Sequence, residues 1–206
     1  RVLLTEFSRL NSHLVWLGTH ALDIGAMTMF FYCFREREEI LKILEMFSGQ
    51  RMMTSYIRIG GVALDAPRGW DKVVRKFMDS FDSKVDEYES LLETNPIWLR
   101  RTKGVGYMPL EDMLELGVTG PMIRGAGLAM DVRKNAPYSG YDKFKFEVAT
   151  HTDNDVYARY RVRMQEFRET AKIIRQVIDG MPSGPFQGDA PKVILPEREK
   201  MKTQME

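Results

Sequence analysis

The sequence predicts a mainly α protein, a helical bundle with a minor β element. Long segments carry apolar residues at alternating spacings of three and four, which is the period of an amphipathic helix. Hydrophobic residues make up 44% of the chain and charged residues 29%, the balance of a folded domain. The 206 residues suffice for a sizeable core. We expect one helical core domain over residues 1–206, with an extended or β insertion at about 118–150 and an extended connector at 181–196.

The first segment reads as an amphipathic helix that ends near Gly25. Asp23 falls opposite the apolar stripe, on a polar face that also carries Trp16 and Thr19. The stripe consists of Leu3, Phe7, Leu10, Leu14, Leu17, Ala21 and Ile24.

A second helix is predicted over residues 26–48, ending at Gly49. Its first third is apolar on every side, so we expect it to be buried on every side. In its last third, Glu38 and Lys42 have the i,i+4 spacing of an ion pair.

Further elements follow from periodicity and from turn residues. We predict short extended pieces within 49–62, helices at 70–93, 109–116 and about 154–179, irregular backbone at 119–141 and a half-buried strand at 143–150. The third helix has the inner stripe Val74, Phe77, Phe81, Val85, Tyr88 and Leu92, and the last long helix the stripe Val156, Tyr160, Met164, Phe167, Ala171, Ile174 and Ile178.

Charge and cysteine content narrow the function classes. The net charge of +1 gives no global attraction to nucleic acid or to an anionic membrane. The single cysteine, Cys33, excludes an internal disulfide framework and fits a reducing compartment. The longest uncharged apolar run, 24–34, has 11 residues, far fewer than a membrane span needs. The chain starts with Arg1 inside a helical pattern and ends in a helix-like run, so we expect native sequence to continue at both ends.

Three common site types are disfavoured by the residues present. His20 and Asp23 share a helix face, but two candidate ligands do not make a zinc site. The glycine-rich run 124–127 and the pair Gly60-Gly61 lack the strand–loop–helix context of a phosphate-binding loop. Six basic residues load the last long helix, yet acidic residues dilute them, and a solvated helix face is favoured over a nucleic-acid track. The sequence therefore predicts no metal site and no nucleic-acid partner.

Asp23 has two interpretations. It can be a surface acid on the polar face of the first helix. Alternatively, the protein that covers the apolar start of the next helix also covers Asp23, and such an acid needs a hydrogen-bonding or cationic partner. A sheltered, partnered carboxylate beside aromatic residues is a candidate proton-handling group. The residues alone leave both interpretations open.

Several segments together resemble one family. They are 9-RLNSHLVWLGTHALDIGAMTMFFYCFRERE-38, 49-GQRMMTSYIRIGGV-62, 118-VTGPMIRGAGLAMDVRKNAPYSGY-141 and 200-KMKTQME-206. In this order they are similar to the D subunit of NADH–quinone oxidoreductase, respiratory complex I, also called the 49-kilodalton subunit. The resemblance covers essentially the whole chain, which corresponds to the middle of the longer family chain.

The resemblance implies a fold shared with the large subunit of nickel–iron hydrogenases, without the four metal-binding cysteines. It implies a small partner subunit that carries the terminal iron–sulfur cluster, and a quinone pocket between the two subunits. This chain would bind no cofactor itself, and NADH would be used elsewhere in the complex. The resemblance further implies contact with the membrane arm and a peripheral position on the cytoplasmic face of the bacterial inner membrane, or on the matrix side in mitochondria.

The resemblance also assigns site residues. A histidine and a tyrosine that hydrogen-bond the quinone headgroup belong to the family's N-terminal part and are absent from this sequence. The aspartate that partners this histidine matches Asp23, the proposed catalytic residue. Thr19, Phe31 and Val15 match other positions of the quinone pocket. Asp23 would hold the histidine in its protonated or hydrogen-bonded state, and protons would reach the quinone from positioned donors.

The segment 49-GQRMM-53 departs from the pattern of the family that the sequence resembles. In many relatives a histidine ends this motif beside the terminal cluster and makes the cluster's potential depend on pH. Here Met53 takes that place, next to Arg51 in the same motif. Methionine cannot take up a proton, so we predict a lower potential with little pH dependence, which suits a low-potential quinone such as menaquinone. The alternative is that Met53 simply packs.

Two other functions compete with a quinone-reducing subunit. One is a non-catalytic helical scaffold, either a fragment or a paralogue in a hydrogenase-related membrane complex. The other is a hydrogenase-type subunit, which would need surviving cysteine ligands. N-terminal sequence carrying the quinone-site histidine and tyrosine would favour the first function, cysteine pairs would favour the hydrogenase type, and neither would favour the scaffold.

Overall fold

A helical hairpin organises the computed structural model, which describes residues 1–189 and 194–204. Helix α1 (Val2–Ile24) and helix α2 (Met27–Ser48) are joined at Gly25, whose left-handed φ of 107° turns the chain so that the amide of Ala26 donates back to the carbonyl of Ala21 at 2.8 Å. The two helices approach closely at Gly18, where an added Cβ would lie 3.3 Å from the Cβ of Cys33. Both predicted helices and the break between them are confirmed.

Two further long helices complete the core. Helix α3 (Trp70–Glu93) and helix α8 (Val156–Gly180) match the predicted segments to within two residues. Phe7, Phe81 and Phe167 are fully buried and come from α1, α3 and α8, so the three helices share one apolar core. The short helices are α4 (Pro96–Thr102), α5 (Leu110–Glu115), α6 (Pro121–Gly125), α7 (Val132–Asn135) and α9 (Arg198–Thr203), with a 3-10 turn at Tyr141–Lys143.

The minor β element lies at 57–62, within the predicted extended pieces. Strands β1 (Ile57–Arg58) and β2 (Gly61–Val62) pair antiparallel, and Gly61 forms a further bridge to Gln187. Only glycine fits at position 61, because a Cβ there would clash with the carbonyl oxygen of Phe186. The predicted connector thus contacts strand β2 at Gln187. Its residues 190–193 lie outside the described ranges.

The strand predicted at 143–150 is wrong. The alternation is real, since Phe146 is buried while Lys145 and Glu147 are exposed, but the segment lies on helix α8 and pairs with no strand among the described residues. Its backbone binds α8 side chains instead: the amide of Lys145 donates to Gln176 (2.8 Å) and that of Glu147 to Glu169 (2.9 Å). Side chains therefore replace the neighbouring strand that a sheet would need.

The segment 119–141 is more regular than predicted. It contains α6, α7 and the start of the 3-10 turn. Pro121 occupies the first turn of α6, where its missing N–H costs nothing. Asp131 caps α7 by accepting from the amide of Arg133 at 2.9 Å. The sequence did not predict these short helices because proline and glycine, which usually interrupt helices, are frequent in the segment.

Helix α2 is not buried on every side as predicted. Met29 and Cys33 are buried, whereas Met27 is 61% exposed and Phe31 is 65% exposed. Within this chain α2 packs chiefly on α1 and α3, so one side of its first third faces outward. The Glu38–Lys42 pair is also wrong, because Lys42 binds Glu39. No helix within the described ranges has both the length and the apolarity to cross a bilayer.

Candidate functional site

The tip of the α1–α2 hairpin carries Asp23 in an open position. Asp23 lies in the last turn of α1 and is exposed, and its side chain makes no hydrogen bond or ion pair with any residue that the structure describes. Thr19, one turn earlier, is also exposed, and its hydroxyl donates to the carbonyl of Val15 at 2.8 Å. Val15, Thr19 and Asp23 therefore follow one another at successive turns along one ridge of α1.

The sequence argument for shelter of Asp23 fails within this chain. It required α2 to be covered on all sides, but Met27 and Phe31 are exposed at the same end of the hairpin. The acid and two large apolar side chains are thus all exposed near the tip of the α1–α2 hairpin. The expectation that Asp23 is sheltered and partnered concerns surfaces outside this chain, and it stays a prediction.

A cleft of about 540 Å³ lies beside the ridge, between α1, α2 and the segment 51–57. It brings together three residues that the sequence assigned to the site: Val15, Arg51 and Met53. Asp23, Thr19 and Phe31 are not among its lining residues. The predicted residues thus form two groups: Val15, Arg51 and Met53 line the cleft, whereas Thr19, Asp23 and Phe31 lie towards the tip of the α1–α2 hairpin.

Arg51 and Met53 differ sharply in their contacts. Arg51 makes a bidentate pair with Glu38, with nitrogen–oxygen distances of 2.6 and 2.8 Å, which holds the pKa of Glu38 below its usual range. Met53 is 93% exposed and has a φ of 54°, in the left-handed region that few non-glycine residues adopt. Met53 therefore does not pack in the core of this chain, contrary to the alternative interpretation.

A buried ionic network at the α1–α8 seam was missed by the sequence. Glu166 of α8 is 3% exposed and accepts from His13 of α1 at 2.5 Å and from Nε of Arg124 at 2.7 Å. Arg9 lies 3.7 Å from the same carboxylate. The predicted solvated face of the last long helix is thus wrong at Glu166, and also at Glu169, which is buried.

Titration of this network reflects its burial. Desolvation lowers the pKa of His13, and the nearby Arg9 adds to the effect. Burial by itself would raise the pKa of Glu166, but its hydrogen bond to His13 and the charges of Arg124 and Arg9 bring the pKa below its ordinary value. The charges of Arg124 and Arg9 and the bond from His13 thus compensate Glu166 within this chain.

A second buried network ties the 119–141 segment to α1. Both oxygens of Glu6 accept from Nη1 of Arg133, at 2.9 and 3.0 Å, and the Tyr141 hydroxyl donates to Glu6 at 2.6 Å. Nη2 of Arg133 also donates to Asp131 at 2.7 Å. All four side chains are buried, so the network is internally satisfied. The motif of glycines, arginines and aspartate in this segment therefore has a structural role.

The residue types that hold metals are dispersed. In the described part of the chain, no group of three or more His, Cys, Asp or Glu side chains is placed to bind a metal ion. Cys33 is buried between α1 and α2, and desolvation raises its pKa to about 12.

Comparison with known proteins defines the class. A family model described as "Respiratory-chain NADH dehydrogenase, 49 Kd subunit" matches residues 23–206. The D subunit numbered 1 of the NADH-quinone oxidoreductase of Solibacter usitatus is 69% identical over 206 residues, 100% of this chain and 50% of that protein. The D subunit numbered 2 of the same enzyme in Koribacter versatilis is 61% identical, over 100% of this chain and 51% of that protein.

A more distant relative agrees. The D subunit of the NADH-quinone oxidoreductase of Geotalea uraniireducens is 47% identical over 100% of this chain and 53% of that protein. The chain belongs to the family of the 49-kDa subunit of the respiratory-chain NADH dehydrogenase. It spans about half the length of the curated relatives that it matches.

Proposed function

We propose that this chain is the central part of a quinone-site subunit of NADH–quinone oxidoreductase. With a small partner subunit that carries an iron–sulfur cluster, it would form the pocket where quinone is reduced, in a reaction coupled to proton translocation. The proposal rests on the family membership and on the open carboxylate at the tip of the α1–α2 hairpin.

The observation that carries this proposal is the setting of Asp23. An acid without a partner in the described chain lies at the same end of the hairpin as Met27 and Phe31, both more than half exposed. Large exposed apolar side chains are typical of contact or ligand sites. Covering this surface would desolvate Asp23, and a desolvated carboxylate requires a hydrogen-bond donor or a cation. A histidine from the rest of the subunit meets that need.

Quinone reduction consumes two electrons and two protons. The cluster in the partner subunit supplies the electrons when it is bound there. The Asp23 carboxylate would accept a hydrogen bond from the imidazole and stabilise its protonated form next to the headgroup. Thr19 and Val15 on the same ridge, and Phe31 on α2, would line the pocket. Removal of a proton from the imidazole would change the field at the membrane arm, which is the proposed start of the coupling.

Arg51 and Met53 would lie near the partner subunit's cluster. The bidentate bond to Glu38 fixes the Arg51 guanidinium, whereas Met53 projects outward and can meet a partner surface. Because a thioether cannot be protonated, a cluster beside Met53 would lack a pH-dependent neighbour. We propose that this suits menaquinone, with NADH oxidised elsewhere in the complex.

The remaining implications of the resemblance belong to the same proposal. The chain would share the fold of the nickel–iron hydrogenase large subunit. It would sit peripherally on the cytoplasmic face of a bacterial inner membrane, or on the matrix side in mitochondria, and contact the membrane arm through other subunits.

Replacement of Asp23 by asparagine tests the proposal. Asp23→Asn in the assembled complex keeps the size of the side chain and removes its charge. General acid–base groups typically contribute at least about 10²-fold, so we expect a loss of that order in quinone-linked NADH oxidation. Asp79→Asn is the matched control, because Asp79 is an exposed aspartate on α3. Unchanged rates in Asp23→Asn, at equal assembly, would refute the proposed role.

The alternative is a scaffold without a catalytic role, favoured by the two satisfied buried networks that hold the bundle together. It makes the opposite prediction for the same experiment, since a scaffold would be indifferent to the charge of an exposed Asp23. The N-terminal half of the native subunit also discriminates, because the quinone-site histidine and tyrosine would lie there.

A further inference from the structure

His20 lies one turn before Asp23 on α1 and is held by two tryptophans. Its ring stacks on Trp16, with centroids 5.0 Å apart and an interplanar angle of 17°, and meets Trp98 of α4 edge-on at 5.6 Å. Residues at i and i+3 of a helix are neighbours, with Cβ atoms roughly 5–6 Å apart. The imidazole is therefore fixed in place beside the ridge that carries Asp23.

Arg163 of α8 contributes a positive charge to the same place. Its guanidinium carbon lies 3.9 Å from the centroid of the Trp16 ring, the ring on which His20 stacks. Its Nη1 donates to the carbonyl of Arg159 at 3.1 Å, and it forms no ion pair with the described carboxylates. Burial lowers the pKa of Arg163 to about 10, so it remains charged at neutral pH.

His20 is thus placed between opposite charges. Its Nε2 is buried and has no hydrogen-bond partner among the described residues. Burial lowers the pKa of His20 below 6.5, Arg163 lowers it further, and Asp23 opposes both. Arg101 of α4 adds a charge at the end of α1, where its Nη1 donates to the carbonyl of Ile24 at 2.5 Å. His20 is therefore a titratable group whose pKa lies below its ordinary value, with a cation and a carboxylate near it.

We propose that His20 is a positioning residue for Asp23: its imidazole, fixed by Trp16 and Trp98, sets the charge beside the carboxylate and so makes quinone reduction sensitive to acid. When His20 is protonated, a cation stands one turn from Asp23 and competes with the histidine that Asp23 is proposed to hold. This inference rests on the proposed function of Asp23.

The test is the pH profile of quinone-linked NADH oxidation by the assembled complex. His20→Phe preserves an aromatic ring between Trp16 and Trp98 and removes the titrating nitrogens, and His20→Gln preserves polarity without titration. In the wild type we expect the rate to fall as the pH drops through a step below 6.5, the ordinary pKa of histidine. We expect both variants to lose this step and to keep rates within about twofold of the wild type at pH 8.

His151→Gln is the matched control, because His151 lies outside this cluster, and it should retain the step. Native gels establish that each variant assembles to the same extent. A step that persists in both His20 variants would overturn the inference, and so would an equal loss of rate at every pH, which indicates a merely structural role. Failure of the proposed function is recognised separately, by wild-type rates in Asp23→Asn.

Discussion

Glu166 of α8 contacts α1 through His13, and Asp23 belongs to α1 itself. The two carboxylates differ in burial and in partners. Glu166 is 3% exposed and binds His13 and Arg124 at 2.5 to 2.7 Å. Asp23 is exposed and has no partner in the described chain. One acid is fully compensated by this chain, and the other is presented outward beside exposed apolar side chains. The difference separates a carboxylate that maintains the fold from one that this chain leaves exposed, as the role proposed for Asp23 requires.

The largest expected effect on stability comes from Glu166. Glu166→Ala leaves Arg124 buried without its acidic partner, and breaking a buried pair in this way costs about 3–5 kcal/mol. Asp23→Ala, at an exposed position without contacts, should change the free energy of unfolding by no more than about 0.5 kcal/mol. Urea unfolding of the full-length subunit measures both. Equal effects of the two substitutions would remove the distinction between the two acids.

We expect pH to have a smaller effect on the free energy of unfolding, through the network of His13 and Glu166. The folded-state pKa values of His13 and Glu166 are both lowered from their ordinary values of 6.5 and 4.5. The unfolded chain therefore binds more protons, and stability falls as the pH falls, below about 6.5 for His13 and below about 4.5 for Glu166.

Variants separate these two contributions. His13→Gln retains a donor to Glu166 and should remove the loss of stability between about pH 7 and pH 5, while the loss below about pH 4.5 remains. Unfolding midpoints measured across this range would contradict the assignment if His13→Gln and wild type lost stability in parallel above pH 5.

Features that depend on residues close together in the sequence could be predicted, whereas contacts between residues far apart in the sequence could not. The stripes of α1, α3 and α8 are local patterns, and their burial follows from the helical period. The His13–Glu166 contact joins residues 153 positions apart, and no local spacing encodes it. The alternation at 144–148 was correctly recognised as half-buried, but its partner is a helix rather than a strand, which alternation cannot distinguish.

The site was predicted unevenly for the same reason. Val15, Arg51 and Met53 were identified through the family resemblance, and the structure brings them into one cleft. The outward side of Met27 and Phe31 was missed, because an all-apolar stretch does not reveal which of its faces lies against the rest of the chain. Trp16 lies one turn before His20 on α1, but the contact of His20 with Trp98 of α4 joins residues 78 positions apart, and no local spacing encodes it.

The smallest effect concerns Met53 and requires the assembled complex. The reduction potential of the partner subunit's cluster should be nearly independent of pH in the wild type. Met53→His introduces a protonatable group at this exposed position and should produce a slope approaching about 60 mV per pH unit, the value for one proton per electron. Redox titration at several pH values measures it. A slope of that size in the wild type would rule out the assigned role of Met53.

The most direct measurement is a structure of the whole complex that contains this chain. We expect the Asp23 carboxylate to lie within about 2.6–3.2 Å of an imidazole nitrogen, in a cavity at a subunit boundary and shielded from bulk water. An Asp23 side chain that points into bulk solvent, remote from any cavity, would contradict the proposed mechanism and leave only the family assignment.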